Sequence, residues 1–79
     1  MNIEVRLFAN LASYLPTGAR RDGAVVDVPD GATVEELLQR LAIPQDLPRL
    51  MLVNGQDARP DQRLRPGDVV SVLPPLVGG

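Results

Sequence analysis

The chain has 79 residues, 44% of them apolar, and a net charge of −2, which is enough for one domain with one modest core and no more. It contains no Cys, His, Trp or Lys, so disulfides, thiol nucleophiles, imidazole bases and ordinary zinc sites are excluded. All 8 basic residues are Arg, set against 10 acidic ones, so the balance lacks the basic excess that nucleic acid demands.

No stretch approaches the roughly 20 apolar residues of a membrane span. The opening Met1-Asn2-Ile3-Glu4 has neither the charge nor the apolar run of a signal peptide. The expected address is therefore cytoplasmic, with no nucleic-acid or membrane partner.

The chain opens with alternation. Ile3, Val5 and Leu7 share one face, and Asn2, Glu4, Arg6 and Phe8 the other, which is the period of a strand. Phe8 is the odd member, an aromatic on the polar face. The spacing then lengthens: Phe8, Leu11 and Leu15 predict a short helix or helical turn, ended by Pro16-Thr17-Gly18. Residues 19–23 are polar and loop-like. Residues 24–28 form a second strand, stopped by Pro29-Asp30-Gly31.

Thr33-Val34-Glu35-Glu36 has the spacing of a capping box, and Val34, Leu37, Leu38 and Leu41 continue it as one apolar stripe. This predicts a helix from a Thr33 cap to Leu41, bounded by Pro44. Residues 50–53 are continuously apolar and precede Asn54-Gly55, a strong turn signal; both faces of this strand ask for cover. A short return strand over 56–58 follows. Leu64 reads as a core plug from a loop, Pro66-Gly67-Asp68 as a turn, and residues 69–73 as the last strand.

The order is β, β, long helix, β, short β, β. One helix can cover one face of such a sheet. The first and last strands carry the strongest apolar signal, so they are expected as central, parallel neighbours. The expected fold class is α+β: a ubiquitin-like β-grasp, with a mixed four- to five-stranded sheet and one main helix on one face. The domain is expected over 1–75, followed by a flexible tail over 76–79.

The sequence closes on Pro74-Pro75-Leu76-Val77-Gly78-Gly79. The double proline must stop the strand and stiffens the exit. Leu76 and Val77 are apolar and lie beyond the sheet, which points to a groove on a partner. Glycine has no Cβ, so Gly78 and Gly79 can pass a narrow channel and present the Gly79 carboxylate to another protein's active site. A carboxylate is a poor electrophile until activated, and adenylation with ATP would supply a leaving group. The chain is then acted upon and has no catalytic residue of its own; its scattered acids, Asp22, Asp27, Asp46, Asp57 and Asp61, read as solvated.

On these residues the chain resembles the MoaD/ThiS sulfur-carrier proteins over essentially its whole length. The matching pieces are Leu7-Phe8-Ala9, Thr33-Val34 with Leu37-Leu38, Val53-Asn54-Gly55, Leu64 with Pro66-Gly67-Asp68-Val69-Val70, and the tail. The double proline is closer to the MoaD branch, the molybdopterin synthase small-subunit type. The resemblance implies that a ubiquitin-activating-enzyme-like adenylyltransferase adenylates Gly79, and that a sulfur donor converts it to a thiocarboxylate. It implies sulfur transfer in molybdopterin- or tungstopterin-type cofactor synthesis, alongside a larger synthase subunit. It implies no bound cofactor or metal, ATP being used by the activating partner. The thiazole of thiamin is the alternative acceptor. Residues 11–16 lack the charged Arg-Glu pair common there in molybdopterin-type members, so the acceptor pathway stays open. A ubiquitin-like modifier conjugated through Gly79 and a plain interaction module are the competing classes.

The partner interface is expected on the uncovered sheet face. Ser71 is the polar member of the last strand, so Val70 and Val72 are expected toward the helix and Val69 and Leu73 outward. Phe8 is outward by the same rule, the alternative being that it tucks under the short helix as core; Leu52 or Leu50 joins them, and Pro74 and Pro75 continue toward the tail. An exposed apolar cluster of this kind marks a docking surface.

Overall fold

The computed structural model describes residues 1–16 and 23–75. The expected flexible tail over 76–79 lies outside the described residues, as does most of the loop expected over 19–23.

Five strands form one sheet: β1 (Asn2–Leu7), β2 (Gly23–Asp27), β3 (Leu50–Val53), β4 (Gln56–Asp57) and β5 (Val69–Leu73), in the order β2-β1-β5-β3-β4. β1 and β5 pair in parallel, with Val5 opposite Val70 and Leu7 opposite Val72; the other pairings are antiparallel. The sheet is thus mixed, with the last strand at its centre and the first beside it. The fold class is the expected α+β β-grasp. β2 begins one residue earlier than its apolar run, because Gly23 pairs with Arg6. At its other end Met1 and Val28 exchange backbone bonds, extending the ladder beyond Asp27.

The helix α1 (Val34–Arg40) forms where the capping box predicted. Thr33 Oγ1 accepts from the Glu36 N–H at 3.2 Å, and Glu36 Oε1 accepts from the Thr33 N–H at 3.1 Å. Two further N–H groups of the first turn, those of Val34 and Glu35, donate to the carbonyls of Gln62 and Pro60. The donors that a helix start leaves without partners are met from the cap and from the 60–62 loop. The helix ends one residue before Leu41. Ala42 turns to φ 62°, its N–H bonds the Gln39 carbonyl, and the Ile43 N–H bonds the Leu38 carbonyl. This is a Schellman ending with Ala where Gly is usual.

The core lies between α1 and one sheet face. Val34, Leu37 and Leu38 of the helix meet Ile3, Val5, Leu7, Val70 and Val72 of the sheet, all fully or almost fully buried. A 3₁₀ helix over Ala9–Tyr14 adds Leu11, and Leu64 enters from its loop as expected. At roughly 1.5–3 kcal/mol per fully buried aliphatic side chain, this cluster is the main source of stability. Among the described residues no polar or charged residue is buried with it.

The continuous apolar run of β3 led to an expectation of cover on both faces. Only one face receives it: Val53 is buried, whereas Leu50 is 45% exposed. Among the described residues there is one α-helix, and it occupies the other side of the sheet.

Candidate functional site

The sheet face opposite α1 is built by alternation. Val5, Leu7, Val70, Val72 and Val53 point to the core, so Glu4, Arg6, Val69, Ser71, Leu73, Leu50 and Leu52 point away from it. Val69 and Leu73 are half-buried and stand outside the core cluster, on the side that the parity of Ser71 predicts.

The register groups the apolar members. Leu50 lies directly opposite Leu73, and Leu52 opposite Ser71. Phe8 continues β1 in extended conformation, φ −112° and ψ 155°, and its N–H donates to the Val72 carbonyl at 3.2 Å. It therefore lies one step beyond the Leu7–Val72 pair, beside Leu73. Phe8 is half-buried and is not among the side chains packed on the core. Phe8, Leu73 and Leu50 thus make a row across three strands, with Leu52 one step behind. The row sits at the end of β5 from which Pro74 and Pro75 lead away, both half-buried.

Further along the same face charged and apolar residues mix: Glu4 stands between Val69 and Val25, the latter 66% exposed. Arg6 Nε lies 2.7 Å from Glu4 Oε2, with both side chains substantially exposed. Asp57 stands opposite Leu52 at the β4 edge. An apolar row with charged side chains interspersed beside it has the composition of a partner-facing surface.

Leu76, Val77, Gly78 and Gly79 lie outside the described residues. What is described is their point of departure: a central strand, two prolines and the apolar row beside them. Among the described residues no group of three Asp or Glu side chains is placed to hold a metal, and no helix is long and apolar enough to cross a membrane.

Two features of this region carried no sequence signal. Arg49, just before Leu50, turns its guanidinium to the loop after α1, where Nη1 lies 3.0 Å from each of the carbonyls of Pro44, Gln45 and Leu47. It fixes the approach to β3. Asn54 and Asp68, each legible as a turn residue, also bond to one another and so tie the β3–β4 turn to the entry of β5.

The sequence profile of the ThiS family matches residues 5–79, from the first strand through the terminal glycines. The chain belongs to the ThiS family. Among solved structures, this ThiS-family chain is similar to SAMP1 from Haloferax volcanii, at 28% identity and a TM-score of 0.77, with 100% of each chain covered. It is similar to molybdopterin converting factor, subunit 1, from Pyrococcus furiosus, at 26% identity and a TM-score of 0.75, over 95% of this chain and 98% of that one. It is also similar to a chain in the complex of subunits 1 and 2 of molybdopterin-converting factor from Helicobacter pylori, at 25% identity and a TM-score of 0.63, with both chains fully covered. No curated protein matches the sequence. The family is thus one of ubiquitin-fold sulfur carriers and modifiers, and its neighbours carry the same β-grasp sheet.

Proposed function

We propose that this ThiS-family chain is a sulfur carrier whose Gly79 carboxylate is adenylated by a ubiquitin-activating-enzyme-like partner and then converted to a thiocarboxylate. The observation that carries the reading is the family match running through Gly78-Gly79. The chain is substrate and carrier; it binds no cofactor, and the partner uses the ATP. Leu76, Val77, Gly78 and Gly79 enter the partner's channel. Phe8, Leu52, Val69, Leu73, Pro74 and Pro75 form the docking surface.

Likeness to molybdopterin converting factor subunit 1, and to a structure holding subunits 1 and 2 together, favours a larger synthase subunit as second partner and a molybdopterin- or tungstopterin-type acceptor. The likeness to SAMP1, described in another structure as a small archaeal modifier protein, favours a second reading: conjugation of Gly79 to other proteins. Both readings share the activation step. The work is done in the cytoplasm.

The test appends one alanine after Gly79. That moves the carboxylate by up to about 3.6 Å and places a Cβ in the channel. A misplacement of even about 1 Å can cost roughly a hundredfold in rate. With ATP, the activating enzyme and a sulfur donor, mass spectrometry should find sulfur in place of oxygen at Gly79 of the wild type and no product from the extended chain. Equal product from both overturns the reading. Recovery from cells mainly as conjugates, rather than as free thiocarboxylate, selects the modifier reading.

A further inference from the structure

We propose that the outer edge of β2 is a self-association surface: two copies of this chain pair antiparallel along Gly23–Asp27 and join their sheets into one. This pairing is independent of the activation of Gly79.

The two edges of the sheet are unlike. β4 is Gln56–Asp57, too short to template another strand. β2 has five residues, with no proline and no basic side chain, and among the described residues no strand pairs with its outer side. The direction of its backbone groups follows from the ladder. The Val28 N–H donates to the Met1 carbonyl at 2.9 Å, so Met1 and Val28 are a hydrogen-bonded pair. Such pairs alternate along antiparallel strands. Val26 and Ala24 therefore bond to Ile3 and Val5, whereas Gly23, Val25 and Asp27 turn their N–H and C=O groups away from β1. Val25 is also the most exposed large apolar side chain among the described residues.

The strand that fits this edge is a second β2. With Val25 opposite Val25 across a two-fold axis, Gly23 of each copy stands opposite Asp27 of the other. Every outward N–H then meets a carbonyl, and the two valines cover each other as a cross-strand pair. Pro29, which has no N–H, closes the pairing beyond Asp27. Charge agrees with this register. Within one copy Gly23 lies opposite Arg6. Asp27 of the second copy falls on the same face as Arg6, with a glycine alone between them. Two strand spacings, roughly 10 Å, separate their Cα atoms, a gap that the long Arg side chain spans over the missing glycine side chain. Arg6 engages Glu4 through Nε, which leaves Nη1 and Nη2 for the incoming carboxylate. Asp27 is exposed, and one of its two oxygens, Oδ1, is bonded within the chain. A second copy supplies this ion pair twice by symmetry and keeps the two Asp27 carboxylates apart. The joint lies in the plane of the sheet, so the row of Phe8, Leu73 and Leu50 stays uncovered. The two β5 strands then run in opposite directions.

A joint one short strand long belongs to the class below about 1,200 Å², whose members are weak and transient. Sedimentation equilibrium of the wild-type chain, taken from micromolar to millimolar concentration, should show a reversible monomer–dimer equilibrium. A wild type that stays monomeric throughout overturns the proposal. Val25→Pro removes an outward N–H and spares the β1 ladder, which an edge strand tolerates; it should weaken the dimer at least tenfold. Asp27→Arg sets like charges across Gly23 and should weaken it as well, and adding Arg6→Glu should recover most of the loss. Circular dichroism checks that each variant is folded. Folded single variants that dimerise like wild type, or a double variant that recovers nothing, overturn the proposal. The chain has no Cys, so Val25→Cys gives one thiol per copy. In a hydrogen-bonded pair the two Cα atoms lie about 5.5 Å apart, within disulfide reach. In a glutathione redox buffer this variant should form disulfide dimers at least tenfold faster than Leu50→Cys, on the apolar row. Cross-linking no faster than through Leu50→Cys overturns the proposal. None of these measurements uses an activating enzyme, so they fail separately from the adenylation assay.

Discussion

Asn54 and Asp68 join two turns that are 14 residues apart: Asn54 Nδ2 donates to Asp68 Oδ1 at 3.0 Å. Asn54 Oδ1 accepts from the Val69 N–H at 2.9 Å, and Asp68 Oδ2 from the Arg65 N–H at 2.8 Å. Asn54 and Gly55 have φ 53° and 84°, the pair of positive values that a type I′ turn requires. Asn54→Ala should lose roughly 1–3 kcal/mol, since it removes both bonds and puts a methyl side chain in the left-handed region. Asn54→Gly removes the same bonds but keeps the backbone at ease, so it should lose about 1 kcal/mol less. Urea denaturation of the pair separates the two contributions; equal losses would show that the backbone conformation carries no cost.

The helix cap is a second checkpoint. Thr33→Ala should destabilise the chain by about 1 kcal/mol, because the Glu36 N–H loses its acceptor. A shift of the urea midpoint with an unchanged slope is the expected signature.

Ala42 offers a gain. It holds φ 62° at the end of α1, where an L residue pays about 1–2 kcal/mol against glycine. Ala42→Gly should stabilise the protein by roughly 0.5–1 kcal/mol after the added freedom of the unfolded chain is deducted. A rise in thermal midpoint of several degrees is the readout.

The two faces of the sheet should answer differently to substitution. Leu37→Ala, in the fully buried core, should cost about 2–5 kcal/mol. Leu73→Glu, on the opposite face, should leave the fold largely intact and weaken binding to the proposed activating enzyme at least tenfold, about 1.4 kcal/mol. Unchanged binding would remove Leu73 from the interface.

The central pairing was legible because β1 and β5 alternate: one polar residue, Ser71, is enough to fix the direction of Val70 and Val72. The helix was legible because its cap and its stripe agree. β3 was less so. An all-apolar run contains no parity, and only the structure shows that Leu50 is exposed while Val53 is buried. Arg49 was silent for another reason: its partners are backbone carbonyls of a loop, which no side-chain pattern records. The Asn54–Asp68 bond depends on β3 lying against β5, a long-range fact that two local turn signals do not contain. Of the candidate surface, the members set by alternation could be read ahead. The row formed by Phe8, Leu73 and Leu50 needed the register of three strands.

The placement of β5 between β1 and β3 also has a mechanical consequence. Tension applied beyond Pro75 runs along a strand hydrogen-bonded on both edges, parallel on one side and antiparallel on the other. Such a pull loads the two ladders together in shear; an edge strand would instead peel away one bond at a time. A pull on the residues beyond Pro75 is therefore borne by the whole sheet and not by one of its edges.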